Sequence, residues 1–332
     1  MCLTTSDSDA EDSETGKVFT PTSDMSTDAL TKNYKPPTKI LIIGDSMTQG
    51  QEGDYTWRYH IWEWCQQQSL SVKFVGPYTG TMQPNPSSPL PDPNVNAKGG
   101  YAADVSPDFK GHHFSGWGWA AWQMKDLISE QVRAHHPDLV LCMLGFNDMG
   151  WGMSDAAGTL ESILQIIERA REVRPYVGFA VANVAQRRFM DGREDLVKNT
   201  DLFNQELEKL IQKVNDGEAQ RKKLKYALED RFEKLCSKES PIKLVKLREE
   251  YSCGPERCEA GYDGLHPNAL GEYQIARAFS KTLVDGFGLG KEYLEVPKDI
   301  PPRVLPVPSN LEVSWVPGKV TATWDRGMSA ES

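Results

Sequence analysis

The chain is predicted to fold as an α/β layer sandwich around a parallel β-sheet, on the strength of two observations. First, short and nearly continuous apolar runs recur along the sequence, and such runs are typical of strands that are buried on both faces of a sheet. They lie at residues 39–44, 71–76, 138–144, 176–184 and 241–247. Second, segments with the apolar period of helices lie between them. Strands that alternate with helices favour a parallel sheet covered by helices.

The folded region is expected to begin at residue 37. Residues 1–36 are rich in Ser, Thr, Asp and Pro and have no apolar period, so we interpret them as a disordered polar leader that ends at Pro36-Pro37. The first strand, Lys39–Gly44, follows directly and is stopped by its glycine. Residues 77–116 contain many Pro, Gly and Asn, and this long loop is predicted to form a rim over the functional site.

The helices between and after these strands are predicted from apolar spacing. One apolar period runs from Trp122 to Val132, and the next runs from Leu160 to Ile167. Residues 199–237 are predicted to form one or two amphipathic helices, and a solvated outer face explains their many charges best. The last helix is predicted from Ala269 to about Val284, with Gly286 as its end.

These elements place one domain at residues 37–290, followed by a linker and a hairpin-like segment at residues 291–332. The segment PSNLEVSWVPGKVTATWD alternates like two β-strands around Pro317-Gly318. It resembles the opening strands of a fibronectin type III domain, but such a sandwich needs about 100 residues. A docked hairpin and a truncated domain therefore both stay open as interpretations.

Charge and composition exclude several classes of partner. The 37 Lys and Arg residues against 47 Asp and Glu residues give a net charge of −10, and no basic stripe interleaves with aromatic residues. Nucleic acid and acidic membrane surfaces are therefore not expected as partners. No apolar run approaches the roughly 20 residues of a membrane span, and the N-terminal sequence lacks the apolar stretch of a signal peptide. As written, the chain is expected in the cytoplasm, or outside the cell if its N terminus is incomplete.

The six cysteines are too few and too scattered for a disulfide scaffold. Cys253 and Cys258 are the exception, because CGPERC could close a small loop in an oxidising compartment, and this pairing stays open. No second Cys or His pair lies at a matching spacing, so a metal is not expected. The chemistry that the motifs below predict implies no cofactor either.

Ser46 is the first residue with a chemical role to consider. It lies in GDSMTQG directly after the first strand, at the edge where parallel sheets present their ligand sites. Taken alone, Gly-Asp-Ser is also typical of a turn and of a helix N-cap, and the cap would be the favoured interpretation.

Two further motifs favour a catalytic role for Ser46 over a helix cap. In YDGLHPN, Asp263 lies three residues before His266, close enough to accept from its Nδ1–H and to leave Nε2 for a serine hydroxyl. In GFND, the amide of Asn147 follows another strand and could donate to an oxyanion, although Asn-Asp is also common turn chemistry. The three motifs together predict nucleophilic catalysis by Ser46.

GDSMT, GFND and DGLHPN together resemble the signature blocks of the SGNH hydrolases, also called GDSL-type esterases and lipases, over residues 39–285. The resemblance implies a flavodoxin-like three-layer sandwich with a five-stranded, mostly parallel sheet. It also implies that Ser46 is the nucleophile and a backbone oxyanion donor, that Asn147 is a side-chain donor, and that His266 and Asp263 complete a triad. The elbow Gly-x-Ser-x-Gly of α/β-hydrolases is not matched, because Thr48 occupies its last position.

The family's oxyanion glycine is matched less clearly, in HHFSGWGWAAW. Gly116 and Gly118 are both candidates, and Gly118 is preferred because a GxxA run that opens a helix fits the block better. Most of the tryptophans are expected to fill the core. Trp117, Trp119 and Trp151 are the predicted lining of the substrate pocket.

The function predicted from these residues is hydrolysis of a carboxylic ester, with a small-molecule or carbohydrate ester as substrate. A short acyl group, such as acetyl, on a sugar or another polar alcohol is favoured by the polar, Trp-rich loops. A lipase or long-chain esterase and an acyltransferase are alternatives with the same triad. A binding protein that keeps the fold without catalysis is the alternative of another class, and the joint presence of all four site residues argues against it.

Overall fold

The structure is a computed structural model that describes residues 36–82, 99–215, 240–300 and 309–325. Strands and helices alternate along the chain, as the sequence predicts. In chain order the elements are β1 (Thr38–Gly44), α1 (Ser46–Gln49), α2 (Trp57–Gln67), β2 (Val72–Val75), β3 (Phe114–Ser115), α3 (Ala121–His135), β4 (Leu139–Met143), α4 (Phe146–Gly150), α5 (Ala156–Val173), β5 (Gly178–Ala182), α6 (Glu194–Asn215), β6 (Ile242–Val245), α7 (Leu247–Glu250), α8 (Ala269–Phe287), β7 (Ser309–Val316) and β8 (Lys319–Asp325).

The five apolar runs form one parallel sheet in the order β2-β1-β4-β5-β6. Ile40 of β1 pairs with Phe74 on one side and with Leu139 on the other, which places β1 in the interior of the sheet. Within the described residues the sheet has a sixth strand, β3, because Phe114 and Ser115 pair with the end of β1. A two-residue strand has no apolar period, so the sequence does not reveal it.

Helices cover both faces of the sheet. The chain leaves β1 towards β2 on one side and continues through β4, β5 and β6 on the other. Right-handed crossovers then put α2 on one face and α3, α5 and α6 on the opposite face. The helix α8 packs against α2, where the rings of Trp57 and Phe279 stack with their centroids 4.6 Å apart. The architecture is therefore the three-layer α/β/α sandwich that the sequence predicts.

The reversal of strand order lies between β1 and β4. Ligands of open α/β sheets bind outside the carboxyl ends of the strands at such a point. The segments that follow β1, β3 and β4 carry Ser46, Gly116 and Asn147 respectively. The sheet thus brings three motifs that are distant in sequence to the same edge.

Some of the predicted segments lie partly or wholly outside the described residues. The amphipathic stretch 199–237 is helical as far as residue 215, within α6, and its remainder lies outside the described residues. The predicted leader and residues 83–98 of the long loop also lie outside them. The strands β7 and β8 form an antiparallel hairpin around Pro317-Gly318, as the alternation predicts. No helix among the described residues has the length and apolar character to cross a membrane.

Candidate active site

Ser46 is the first residue of α1 and follows β1 through a tight turn. A Cβ atom on Gly44 would lie 2.0 Å from Oγ1 of Thr48, so the turn has no room for a side chain at position 44. Asp45 caps the helix, since its carboxylate accepts from the N–H of Met47 at 3.0 Å. Because Asp45 is the cap, the Ser46 hydroxyl is left for another partner.

That partner is His266, whose Nε2 lies 2.8 Å from Oγ of Ser46 across 220 residues of sequence. The Nδ1 atom of the same ring lies 2.6 Å from Oδ2 of Asp263. A carboxylate only accepts, so Nδ1 carries the proton and Nε2 presents its lone pair to the serine hydroxyl. The structure brings the three residues into one hydrogen-bonded chain that has the polarity a general base requires.

The Asp263 carboxylate is oriented by its own turn. Oδ1 accepts from the N–H groups of Leu265 at 3.0 Å and His266 at 2.8 Å, which leaves Oδ2 for the imidazole. Burial acts to raise the pKa of Asp263, but the hydrogen bonds from His266 and Leu265 outweigh it, and the pKa lies below the usual aspartate value. Asp263 is therefore ionised at neutral pH.

Two aromatic rings lie against the imidazole. Trp117 stacks on His266 with centroids 4.7 Å apart and an interplanar angle of 15°, and Tyr262 stacks at 5.9 Å. Gln51 donates to the hydroxyl of Tyr262, and the backbone N–H of Trp117 donates to Oε1 of the buried Gln49 at 2.7 Å. Trp117, one of the predicted pocket residues, is thus placed directly at the candidate base.

The side-chain amide of Asn147 is fixed at both of its ends. Its Nδ2 donates to the carbonyl of Trp119 at 2.9 Å, and its Oδ1 accepts from Nε1 of Trp151 at 3.0 Å. Indole N–H only donates and a carbonyl only accepts, so the orientation of the amide is unambiguous. Among the described residues, the second N–H of Nδ2 has no hydrogen-bond partner, as an oxyanion donor requires.

The two candidate glycines differ in how their N–H groups are used. The N–H of Gly116 donates to the carbonyl of Gly44 at 3.3 Å, and a Cβ atom at position 116 would lie 2.3 Å from the ring of Trp119. Gly118 adopts a φ of +76°, which favours glycine. Its N–H has no hydrogen-bond partner in the part of the chain that the structure describes. This difference supports Gly118 as the donor, and the assignment stays a prediction.

The three predicted pocket tryptophans have different environments. Trp151 is 70% exposed, whereas Trp119 is only 4% exposed and packs edge-on against Phe114 with centroids 4.9 Å apart. The structure argues against Trp119 as pocket lining, because its ring belongs to the core. Its contribution to the site is the backbone carbonyl that accepts from Asn147.

Asp148, beside Asn147, has a structural role. Its carboxylate accepts from the N–H groups of Ala121 at 2.8 Å and Trp122 at 2.9 Å, at the start of α3, where the cap residue Ala120 has no polar side chain. This bond ties the turn that carries Asn147 to the segment that carries the two glycines. Sequence reasoning places Asp148 in a motif but gives no sign of its partner.

Arg58 was not identified from the sequence, yet it supports the nucleophile turn. It is fully buried, and its five N–H groups meet five acceptors: the carbonyls of Thr48, Gln49, Gly80 and Gly111 and the hydroxyl of Tyr101. Every donor of the guanidinium is therefore used. Two of these carbonyls end the helix α1, and the other acceptors belong to the long loop that was predicted to form the rim.

A disulfide joins Cys253 and Cys258 beside the loop that carries Asp263 and His266. A Cβ atom on Gly261 would lie 2.7 Å from Sγ of Cys258, so the bridge packs directly against the turn that leads to Asp263. The pairing that the sequence left open is thus present. Among the described residues, no group of three or more His, Cys, Asp or Glu is positioned to bind a metal ion.

Comparison with known proteins agrees with this description. The model of the GDSL-like lipase/acylhydrolase family matches residues 42–273. A solved carbohydrate esterase of family 3 from Talaromyces cellulolyticus is 22% identical, with a TM-score of 0.53, and the match covers 74% of this chain and 96% of that one. An acetyl esterase S10A mutant solved with acetate is 21% identical, with a TM-score of 0.52 and the same coverage. No curated protein sequence matches the chain.

The fold and the family model define the class of the protein as a carboxylic ester hydrolase. The chain belongs to the GDSL-like lipase/acylhydrolase family, the SGNH hydrolases, as the sequence motifs predict. At these identities, the likeness to solved structures supports the fold and leaves the substrate open.

Proposed function

We propose that the protein hydrolyses esters through a covalent acyl-enzyme on Ser46. His266 accepts the serine proton at Nε2 as Oγ attacks the ester carbonyl, and Asp263 stabilises the resulting imidazolium. The observation that carries this proposal is the chain of hydrogen bonds from Ser46 through His266 to Asp263.

The tetrahedral intermediate needs donors for its oxyanion. The backbone N–H of Ser46, the N–H of Gly118 and the second N–H of Asn147 are assigned to this role. Collapse of the intermediate expels the alcohol, which takes the proton from His266 and leaves the acyl group on Ser46. Water then attacks the acyl carbon while His266 takes a proton from the water. The bond from the acyl carbon to Oγ of Ser46 breaks, His266 returns the proton to Oγ, and the carboxylic acid is released.

The favoured substrate is a short acyl ester of a carbohydrate or another polar alcohol. Trp151 presents an exposed indole beside Asn147, and exposed aromatic faces stack well on the apolar face of a sugar ring. Gln51 and Tyr262 add polar groups beside His266. The site therefore offers aromatic and polar contacts together, which suits a polar alcohol better than a long acyl chain.

The experiment is fluorophosphonate labelling, followed by hydrolysis of p-nitrophenyl esters of increasing acyl length and of acetylated sugars. Ser46→Ala is expected to abolish labelling and to lower kcat by at least about 10³-fold, because the nucleophile is lost. Ser129→Ala is the matched control, since the Ser129 hydroxyl donates to Arg169 on the far helices and does not contact the site.

Full activity in Ser46→Ala, or an unlabelled and inactive wild type, would contradict the nucleophile assignment. Preference for long acyl chains would favour the lipase alternative. Product formed on an added alcohol, at the expense of hydrolysis, would favour acyl transfer.

We also propose that the protein works in an oxidising compartment rather than in the expected cytoplasm. The Cys253–Cys258 disulfide supports this, because structural disulfides are rare in reducing compartments. Alkylation of free thiols before and after reduction, read by mass spectrometry on protein from its native source, tests it. Two reduced thiols at these positions would overturn it.

A further inference from the structure

The hydrogen bond between Trp151 and Asn147 joins an exposed aromatic ring to the candidate oxyanion donor. Nε1 of Trp151 donates to Oδ1 of Asn147 at 3.0 Å, and the backbone N–H of Trp151 donates to the carbonyl of the same asparagine at 2.9 Å. Trp151 directly follows α4, so its backbone and its ring both return to a residue in the first turn of that helix. The indole N–H points into the site while the residue as a whole is 70% exposed.

We propose that Trp151 is a positioning residue that holds and polarises the Asn147 amide for oxyanion stabilisation, beyond any contact that its ring makes with substrate. The inference rests on the proposed function and deepens it. Trp119 fixes the nitrogen end of the amide through its carbonyl, and Trp151 fixes the oxygen end. With both ends held, the free N–H needs no reorganisation when negative charge develops.

The hydrogen bond from Trp151 to Asn147 also polarises the amide. Hydrogen bonds in a chain strengthen one another, and a donor on the amide oxygen makes the amide N–H a better donor. Indole N–H, amide and oxyanion form such a chain. Phenylalanine at position 151 retains an aromatic face and removes the first donor of the chain.

The effect is therefore expected in the chemical step rather than in binding. Trp151→Phe is expected to lower kcat by about three- to tenfold and to leave KM within about twofold, since loss of a whole oxyanion donor costs about 10²- to 10³-fold. Trp151→Ala is expected to lower kcat equally and to raise KM as well, because the stacking face is also lost. Circular dichroism and thermal melting verify that both variants fold.

A double-mutant cycle with Asn147→Ala separates positioning from other roles of the ring. If Trp151 acts through the amide, Trp151→Phe in the Asn147→Ala background is expected to cost no further activity. The second-order rate of fluorophosphonate labelling provides the same cycle where turnover of Asn147→Ala is too slow to measure. Trp122→Phe is the matched control, because Trp122 is also exposed, at 52%, but its ring contacts Lys125, whereas the amide of Asn147 bonds to Trp119 and Trp151.

An unchanged kcat in Trp151→Phe would overturn the inference, and so would an equal loss in the Asn147→Ala background. Both results leave the proposed function intact, provided that the wild type is active and depends on Ser46. Absence of activity and labelling in the wild type would instead contradict the proposed function itself.

Discussion

The proposed nucleophile, Ser46, and its proposed base, His266, lie in two regions that are stabilised in different ways. Ser46 is 6% exposed and follows a strand in the interior of the sheet, in a turn whose carbonyls are bound by the buried Arg58. The side chains of His266 and Asp263 are 16% and 44% exposed, and they lie in a loop between α7 and α8. Of the proposed triad, Ser46 thus belongs to the core, whereas His266 and Asp263 lie on a surface loop.

The nucleophile side depends on buried hydrogen bonds. The Arg58 guanidinium joins α1 to two parts of the long loop, through Gly80 and Gly111. The nearby His113 is buried, and this burial together with the charge of Arg58 lowers the pKa of His113 well below its usual value. His113 is therefore neutral beside the arginine, with Nδ1 accepting from Ser115 and Nε2 donating to Gly80.

The base side depends on three ties around the loop that carries Asp263 and His266. The disulfide closes residues 253–258, the hydroxyl of Tyr251 donates to the carbonyl of Leu265 at 2.7 Å, and the N–H of Arg188 donates to the carbonyl of Gly264 at 2.8 Å. These ties fix a loop that remains open to water. The comparison teaches that changes to the exposed side chains of His266 and Asp263 should affect activity with little loss of stability, whereas changes under Ser46 should affect both.

The largest effect is expected for Asp263→Asn. The asparagine oxygen can still accept from the N–H groups of Leu265 and His266, which turns the amide NH₂ towards Nδ1 of the imidazole. The histidine is then held in the tautomer that presents Nε2–H to Ser46, so kcat is expected to fall by about 10²- to 10⁴-fold with little change in melting temperature. Steady-state kinetics and thermal melting measure the two quantities.

Asp126→Asn, on the exposed surface of α3, is the control and should retain activity. Because the pKa of Asp263 is below its unfolded value, its stabilising contribution is complete above the usual aspartate pKa and is lost as the pH falls through the folded value. Any stability difference between wild type and Asp263→Asn should therefore vanish in strong acid. A large loss of stability at neutral pH would break the comparison.

The next largest effect is expected for Arg58→Met. It removes the guanidinium donor from four carbonyls, of which that of Gly80 keeps the donor from His113. The free energy of unfolding is expected to fall by about 3–5 kcal/mol, since removal of one member of a buried charged network is costly. Activity is expected to fall with it. Urea denaturation followed by circular dichroism measures the stability.

Arg58→Lys retains the charge with three donors instead of five, and an intermediate loss is expected. Arg133→Met, at an exposed position of α3, is the control for loss of a positive charge. If Arg58→Met were as stable as the wild type, the buried network would not be what stabilises the nucleophile side.

The smallest effect is expected for replacement of both Cys253 and Cys258 by serine. A loop of this size contributes about 2 kcal/mol in the chain-entropy model. Because the bridge packs against the turn before Asp263, kcat is expected to fall a few-fold. A reducing agent should produce the same changes in the wild type and none in the double variant. An effect of the reducing agent on the double variant would show that it acts elsewhere.

The strands and the residues of the proposed triad could be picked out from the sequence because their signals are local. Each strand is a continuous apolar run that must be buried, whatever surrounds it. Ser46, Asn147 and the Asp263–His266 pair each follow a strand or precede a helix within a few residues, so parallel strand order alone brings them to one edge. The hydrogen bond between Ser46 and His266 spans 220 residues and was still predictable for that reason.

The environments of individual side chains were not predictable in the same way. Trp119 and Trp151 both follow glycine-containing turns in site motifs, yet one ring is in the core and the other is exposed. Arg58 lies in an aromatic-rich helix, where a charge usually faces solvent. Its burial is favourable because acceptors from α1 and from the long loop meet its guanidinium.

By itself, the sequence determined the α/β fold and the family and indicated the residues of the proposed triad, because apolar periodicity and short motifs encode them locally. Tertiary structure alone decided which groups orient those residues: Arg58 under the nucleophile turn, Trp117 on the imidazole, and Trp151 on the Asn147 amide. Such contacts arise from packing between separate segments, and residue type and spacing do not specify how those segments meet.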